Sequence, residues 1–182
     1  MRNALLEAQD RTRMTKPNDD ARAAYPGIIT IIGIGQSLRG DDAAGLEAVR
    51  LWQETYQAKH SSSTVKVELA ELPGISLLNL LEGSRSVILV DAVHSSARPG
   101  TIHILAQNQL EAFTQDSASA HGWGVAETLS LGRQLMPSAM PDKLVLIGIE
   151  ASQLQLGEAL SHEVRSALPQ AASLIEQYVL EE

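Results

Sequence analysis

Cysteine is missing from all 182 residues of this chain. A chain without thiols forms no disulfide, provides no thiolate to a metal and offers no cysteine nucleophile. Any metal ligand that the protein supplies must therefore be a histidine nitrogen or an oxygen of Asp, Glu or the backbone.

Positive charge is also scarce, because 14 Lys and Arg residues stand against 22 Asp and Glu, for a formal net charge of -8. Binding to the phosphate backbone requires a surplus of Lys and Arg, so nucleic acid is not expected as a main partner. No apolar run is long enough to span a membrane, and the N-terminus lacks the apolar core of a secretory signal. We therefore expect a soluble cytoplasmic protein without a membrane partner, and a monomer by default.

Aromatic residues make up only 3% of the chain, whereas hydrophobic residues together make up 44%. The core must therefore be aliphatic, which is typical of a parallel sheet that helices bury on both faces. The length fits one domain. We assign the polar, charged residues 1–26 to an N-terminal extension and residues 27–182 to a single α/β domain.

Apolar strand patterns alternate with helical spacing along the chain. Strands are predicted at 28–32, 64–72, 86–91, 101–105 and 143–149, and helices at 41–57, 75–81, 123–135 and 162–180. Asp41 is the predicted N-cap of the first helix and Ser161 that of the last, and the short strand at 101–105 suits a sheet edge. The alternation predicts a three-layer α/β sandwich whose mainly parallel, twisted sheet is covered by helices on both faces.

Two carboxylates are expected at one edge of this sheet. Asp42 follows the first strand by a loop, and Asp91 is the last residue of the predicted third strand. In open parallel sheets, sites form beyond the carboxyl ends of the strands. The alternative is that Asp41 and Asp42 only cap a helix and offset its dipole, and that Asp91 only caps a turn.

The histidines offer one main candidate for the same site. His121 precedes a predicted helix and has glycines at 122 and 124, which leave the backbone free to place the imidazole. A lone His before a helix is more often a surface or capping residue. His94, three residues after Asp91, is the nearest rival, whereas His60 and His103 are expected to be structural or exposed.

Familiar nucleotide and hydrolase motifs fail on inspection. In the Gly-rich segment 33–45 the third glycine of GxGxxG would fall on Leu38, and the two acids would repel a pyrophosphate. The segment at 162–166 has Ser166 where a zincin needs His, and no GxSxG nucleophile elbow is present. What remains is a tight backbone turn that presents acids.

Four blocks of this sequence resemble the [NiFe]-hydrogenase maturation proteases, endopeptidases that trim the C-terminus of the hydrogenase large subunit. They are GIGQSLRGDDAAG at 33–45, SVILVDAV with RPGTIHIL at 86–105, SAHGWGVAETLSLG at 119–132 and KLVLIGIE at 143–150. The resemblance runs from residue 28 to 178. Gln36 stands where the family usually has Asn, and no Pro follows Glu150.

The resemblance implies roles for individual residues. It makes Asp42, Asp91 and His121 metal ligands, with Asp42 and Asp91 also catalytic, and gives Gly33, Gly35, Gln36 and Asp41 to the turn or to substrate binding. The metal would be nickel that the precursor of a [NiFe]-hydrogenase large subunit carries on its own cysteines, and no organic cofactor is expected. With three ligands and no Cys, the isolated protein is expected to hold metal weakly or not at all.

The resemblance leaves the chemistry and even the activity open. Either the metal polarises the scissile carbonyl or activates water, or a carboxylate acts as general base in aspartyl-protease-like chemistry. A non-catalytic, nickel-dependent docking chaperone for the precursor would need the same ligands. A third hypothesis is a nucleotide- or small-molecule-binding domain. The broken glycine motif and the paired acids argue against it.

Overall fold

The predicted alternation of strands and helices is present in the computed structural model, which describes residues 27–71, 73–110 and 125–182. The strands are β1 (Ile29–Gly35), β2 (Val65–Glu71), β3 (Ser86–Val93), β4 (Ile102–Ala106) and β5 (Lys143–Glu150). The helices are α1 (Ala44–Tyr56), α2 (Leu77–Leu81), α3 (Val125–Leu135) and α4 (His162–Leu180). Short 3-10 turns lie at Gly40–Ala43, Gln57–Lys59, Gly74–Ser76 and Pro137–Ala139.

The five strands form one sheet in the order β2-β1-β3-β5-β4. The pairs β1–β2, β1–β3 and β3–β5 are parallel, and β4 pairs antiparallel with β5 at one edge. Every residue of the two adjacent strands β1 and β3 is buried. The mainly parallel sheet and the edge position of β4 are therefore confirmed.

Helices cover both faces of the sheet. Ile31 and Ile147 belong to a cluster that packs against α1 and α4, whereas Ile32 and Leu89 belong to a cluster that packs against α2 and α3. Ile31 and Ile32 point to opposite layers because successive side chains of a strand alternate between its faces. The predicted three-layer sandwich is confirmed, and its two cores are aliphatic except for Trp52, which is fully buried in the cluster against α1 and α4.

The boundaries of the elements differ from the prediction where the backbone turns. Strand β1 continues to Gly35, and β3 continues two residues past Asp91, so Asp91 is not the last residue of its strand. Helix α1 begins at Ala44 because residues 40–43 form a 3-10 turn. Residues 123 and 124 of the predicted third helix, and Leu72, lie outside the described residues, as does the proposed extension at 1–26.

The predicted N-caps have different outcomes. Ser161 caps α4, since its Oγ accepts a hydrogen bond from the backbone N–H of Val164 at 3.3 Å. The prediction for Asp41 is wrong: the N-cap position of α1 is Ala43, and no side chain caps that helix. None of the helices in the described ranges has the length and apolar content that a membrane span would need.

Candidate acidic site at the carboxyl edge of the sheet

The turn that carries Asp42 lies directly against the carboxyl ends of β1 and β3. A Cβ at Gly45 would collide with the carbonyl oxygens of Ile34 and Val90, and one at Gly35 would collide with the carbonyl oxygen of Asp42. Glycine at both positions is what allows the backbones to approach so closely. The 3-10 turn and the start of α1 are therefore seated on the two central strands, and Asp42 is fully buried there.

Asp91 occupies the same edge on the neighbouring strand. It follows Val90, whose carbonyl oxygen faces Gly45, and it pairs in register with Gly148 of β5. Its side chain is buried, and its Oδ1 accepts a hydrogen bond from the backbone N–H of Ala92 at 2.9 Å. The structure thus brings Asp42 and Asp91 to one edge of adjacent strands, as the rule for parallel sheets led us to expect.

The loop before Asp42 is a hydrogen-bonded turn. The N–H of Gln36 donates to the carbonyl of Asp42 at 3.3 Å, and the carbonyl of Gln36 accepts from the N–H of Arg39 at 3.1 Å. Gly40 has φ +57°, a left-handed conformation that favours glycine, and a Cβ there would meet the carbonyl oxygen of Gln153. Gly33 serves packing, since a Cβ there would press on Gly45 and Val49 of α1.

Asp41 connects this turn to the segment between β5 and α4. Its Oδ2 accepts from the N–H of Ser152 at 2.9 Å, the Oγ of Ser152 at 3.1 Å and the N–H of Gln153 at 3.1 Å. Its Oδ1 accepts from the N–H of Ser161 at 2.6 Å. Burial acts to raise the pKa of Asp41, but the hydrogen bonds from Ser152, Ser161 and Gln153 outweigh it and hold the pKa below its ordinary value.

Glu150 is a buried acid at the same edge to which we gave no role from the sequence. It ends β5, opposite Val93 of β3. Its carboxylate accepts from the N–H of Ser95 at 2.6 Å and the Oγ of Ser95 at 2.8 Å, and lies 3.0 Å from Nε2 of His103. The loop that follows Asp91 is therefore anchored to the end of β5. An acid at the carboxyl end of a predicted buried strand was the available signal, and Asp91 was selected on that pattern, although its strand continues to Val93.

The third predicted ligand, His121, lies outside the described residues. Its rival His94 is exposed, with Nδ1 3.3 Å from the carbonyl oxygen of Ala151. Across the described ranges no three His, Asp or Glu side chains form a group that would hold a metal ion, so His94 does not complete a site with Asp42 and Asp91.

Two further histidines, His60 and His103, have structural partners. His103 pairs with Glu150, and Nε2 of His60 lies 2.9 Å from Oε2 of Glu176 while its ring stacks on Trp52. Both were expected to be structural or exposed, and this is confirmed.

A cavity of about 790 Å³ opens elsewhere on the molecule, lined in part by Ser86, Lys143 and Ala106. Ser86 and Lys143 begin their parallel strands and Ala106 ends the antiparallel one, so this cavity lies at the amino edge of the sheet. Neither Asp42 nor Asp91 lines it. Two buried carboxylates at the edge where parallel sheets form their sites indicate the functional site more strongly than the volume of this cavity does.

Comparison with known proteins gives consistent matches over most of the chain. A family model described as "Hydrogenase maturation protease" (HycI) matches residues 49–178. The hydrogenase expression/formation protein HoxM of Azotobacter vinelandii is 28% identical over 170 residues, which cover 92% of this chain and 75% of that protein. The hydrogenase 2 maturation protease of Escherichia coli is 27% identical over 144 residues, covering 79% and 85%. Among solved structures, the hydrogenase maturating endopeptidase HybD from E. coli superposes with a TM-score of 0.74 at 26% identity, covering 85% of this chain and 93% of that one.

Proposed function

The chain belongs to the hydrogenase maturation proteases, and from that premise we propose that it removes a short C-terminal extension from the nickel-loaded precursor of a [NiFe]-hydrogenase large subunit. Membership of the family makes the protein a hydrolase, an endopeptidase that acts in hydrogenase maturation. The proposal adds the substrate, the position of the cut and the recognition of the substrate's nickel.

The observation that carries the proposal is the pair of buried carboxylates, Asp42 and Asp91, on the carboxyl edge of the two central strands. Asp is rarely buried unless it is paired or performs a function. In our proposal these two residues and His121 present oxygen and nitrogen ligands to nickel in the bound precursor. Imidazole suits nickel, and a chain without cysteine does not compete with the thiolates that hold the ion in the precursor.

Gly33, Gly35 and Gln36 have a supporting role in this proposal. The two glycines let the turn and α1 approach β1, and the backbone of Gln36 closes the turn on Asp42. In our proposal they place the backbone around Asp42 and do not contact the metal.

Peptide hydrolysis requires water to add to the scissile carbonyl and a proton to reach the departing amine. In one route Asp42 or Asp91 accepts the proton of the attacking water and then delivers it to the amine. In the other route, the carboxylates would hold the substrate's nickel, which would polarise the scissile carbonyl or activate the attacking water, and the proton that this water loses would pass to the departing amine. In both routes nickel arrives with the substrate, so cleavage depends on the loading of the precursor.

Intact mass spectrometry of the large-subunit precursor, nickel-loaded or nickel-free, tests the proposal after incubation with this protein. Loss of a C-terminal peptide from the nickel-loaded sample alone is the expected result. Loss from both samples would contradict nickel recognition while leaving the protease intact. Loss from neither, with the nickel-loaded precursor retained in a pull-down, would favour the docking chaperone instead.

A further inference from the structure

Asp41 stands beside Asp42 in the sequence, but its carboxylate serves a different part of the molecule. Both oxygens are engaged by the connection between β5 and α4: three bonds come from Ser152 and Gln153 directly after β5, and one comes from Ser161 at the N-cap of α4. One side chain therefore joins the turn 40–43 to both ends of this connection.

The backbone strengthens the same junction. The N–H of Asp41 donates to the carbonyl of Gln153 at 2.8 Å, and the N–H of Gly40 donates to the carbonyl of Glu158 at 3.2 Å. A third bond runs from the N–H of Gly157 to the carbonyl of Leu38 at 2.8 Å. The loop that carries Asp42 and the β5–α4 connection thus form one bonded unit.

The two backbone hydrogen bonds that Asp42 makes within the turn are long. Its N–H donates to Arg39 at 3.2 Å and its carbonyl accepts from Gln36 at 3.3 Å, both at or beyond the long end of the usual range. The bonds to the Asp41 carboxylate are shorter, at 2.6–3.1 Å, and hydrogen bonds to an ionised acceptor are roughly twice as strong as neutral ones. The carboxylate of Asp41 therefore holds this turn through shorter, charge-assisted bonds than the two backbone bonds of Asp42.

We propose that Asp41 is a positioning residue: its buried carboxylate fixes the turn 40–43 to the β5–α4 connection and so holds Asp42 in the geometry that cleavage of the precursor needs. This inference rests on the role proposed above for Asp42. It assigns Asp41 neither contact with substrate nor metal binding.

Asp41→Asn is the informative substitution, because both carboxylate oxygens accept from backbone N–H groups, so the amide NH2 of Asn faces an N–H donor in either orientation. Glu176→Gln is the matched control. It makes the same carboxylate-to-amide change at a buried acid that accepts from Nε1 of Trp52 and contacts His60. Fifteen residues separate it from Ser161, which is about 22 Å along α4 at 1.5 Å per residue.

Steady-state cleavage of the nickel-loaded precursor separates positioning from general stability. We expect kcat of Asp41→Asn to fall roughly 10- to 100-fold, as for a catalytic group misplaced by about 1 Å, with KM changed by less than about twofold. Glu176→Gln should keep the wild-type kcat once both variants are compared at equal folded fraction. Wild-type kcat in Asp41→Asn, or an equal loss in Glu176→Gln, would overturn the inference.

Amide hydrogen exchange gives a readout that does not depend on cleavage. In Asp41→Asn, the backbone amides of residues 36–43 and 152–161 should exchange faster than in wild type, because the bonded unit has lost its central acceptor. Exchange in the strands should be unchanged. Unchanged protection at 36–43 would refute the positioning role. If the wild-type protein itself fails to cleave the precursor, the proposed function fails, and the exchange data still decide whether Asp41 holds the turn.

Discussion

Glu150→Ala should destabilise the protein much more than Glu150→Gln. Of the three groups that contact this carboxylate, one can only donate a hydrogen bond, whereas the other two can also accept one. In the wild-type protein the carboxylate contacts the N–H and Oγ of Ser95 and Nε2 of His103, at 2.6, 2.8 and 3.0 Å. A hydroxyl and a neutral imidazole nitrogen can accept as well as donate. Glutamine can therefore keep its oxygen on the N–H of Ser95 and donate its amide to the other two.

The magnitude follows from the same three contacts. A hydrogen bond to a charged group contributes about 1.5–3 kcal/mol, so losing three could cost up to about 9 kcal/mol. Ser95 and His103 are only partly buried and recover water as a partner, which reduces the expected loss for Glu150→Ala to about 2–4 kcal/mol. Glu150→Gln should lose about 1 kcal/mol or less, since the N–H of Ser95 keeps its acceptor and the hydroxyl of the partly buried Ser95 can turn its O–H to water.

Urea unfolding followed by circular dichroism at pH 7 measures both variants. If the free energy of unfolding falls with urea concentration at the same slope in both variants, they expose the same surface on unfolding and differ only in stability. A loss below about 0.5 kcal/mol for Glu150→Ala, the size of an ordinary surface substitution, would refute the view that this acid anchors the loop after Asp91. Equal losses in the two variants would show that the charge matters and the hydrogen-bond geometry does not.

Two further predictions concern the turn that carries Asp42. Because the folded protein holds the pKa of Asp41 below its ordinary value, ionised Asp41 stabilises the fold fully above the ordinary Asp range, and this contribution is lost as pH falls through that range toward the lower folded-state value. The difference in free energy of unfolding between wild type and Asp41→Asn should therefore be constant from pH 7 to about 5 and shrink toward pH 3. Urea titrations at these pH values measure it, and a difference that stays constant down to pH 3 would contradict the prediction. Gly40→Ala should cost at least about 2 kcal/mol, since it adds a clash with Gln153 to the left-handed backbone penalty of about 1–2 kcal/mol. Gly74→Ala is its control, with φ +48° and nothing within 4 Å of a Cβ, and equal losses in the two variants would show that the contact with Gln153 has no effect.

The fold was largely predictable because its determinants are local. Strands such as β1 and β3 are short β-branched runs bounded by turn residues, and their alternation with helices has one common solution. The rule for the carboxyl ends of parallel strands then brought Asp42 and Asp91 together without knowledge of any contact. The strand β4 could be assigned to an edge because the apolar run that forms it is short.

The partners of the other buried acids were not predictable, because they are remote in sequence. Asp41 bonds to residues 111 to 120 positions away, and Glu150 bonds to Ser95, 55 positions away. From the sequence, an Asp at a helix start is most simply a cap. A 3-10 turn at Gly40–Ala43 precedes α1, so Asp41 lies before the cap position and its carboxylate bonds to the β5–α4 connection.

In our proposal, Asp42 and Asp91 carry both recognition and cleavage of the nickel-loaded precursor. The most direct test is the intact mass of that precursor after incubation with wild type, Asp42→Asn, Asp91→Asn and the remote control Glu176→Gln. We expect loss of the C-terminal peptide with wild type and Glu176→Gln, and an uncut precursor with the two Asp variants, each shown to be folded. Wild-type rates of cleavage by either Asp variant would contradict it.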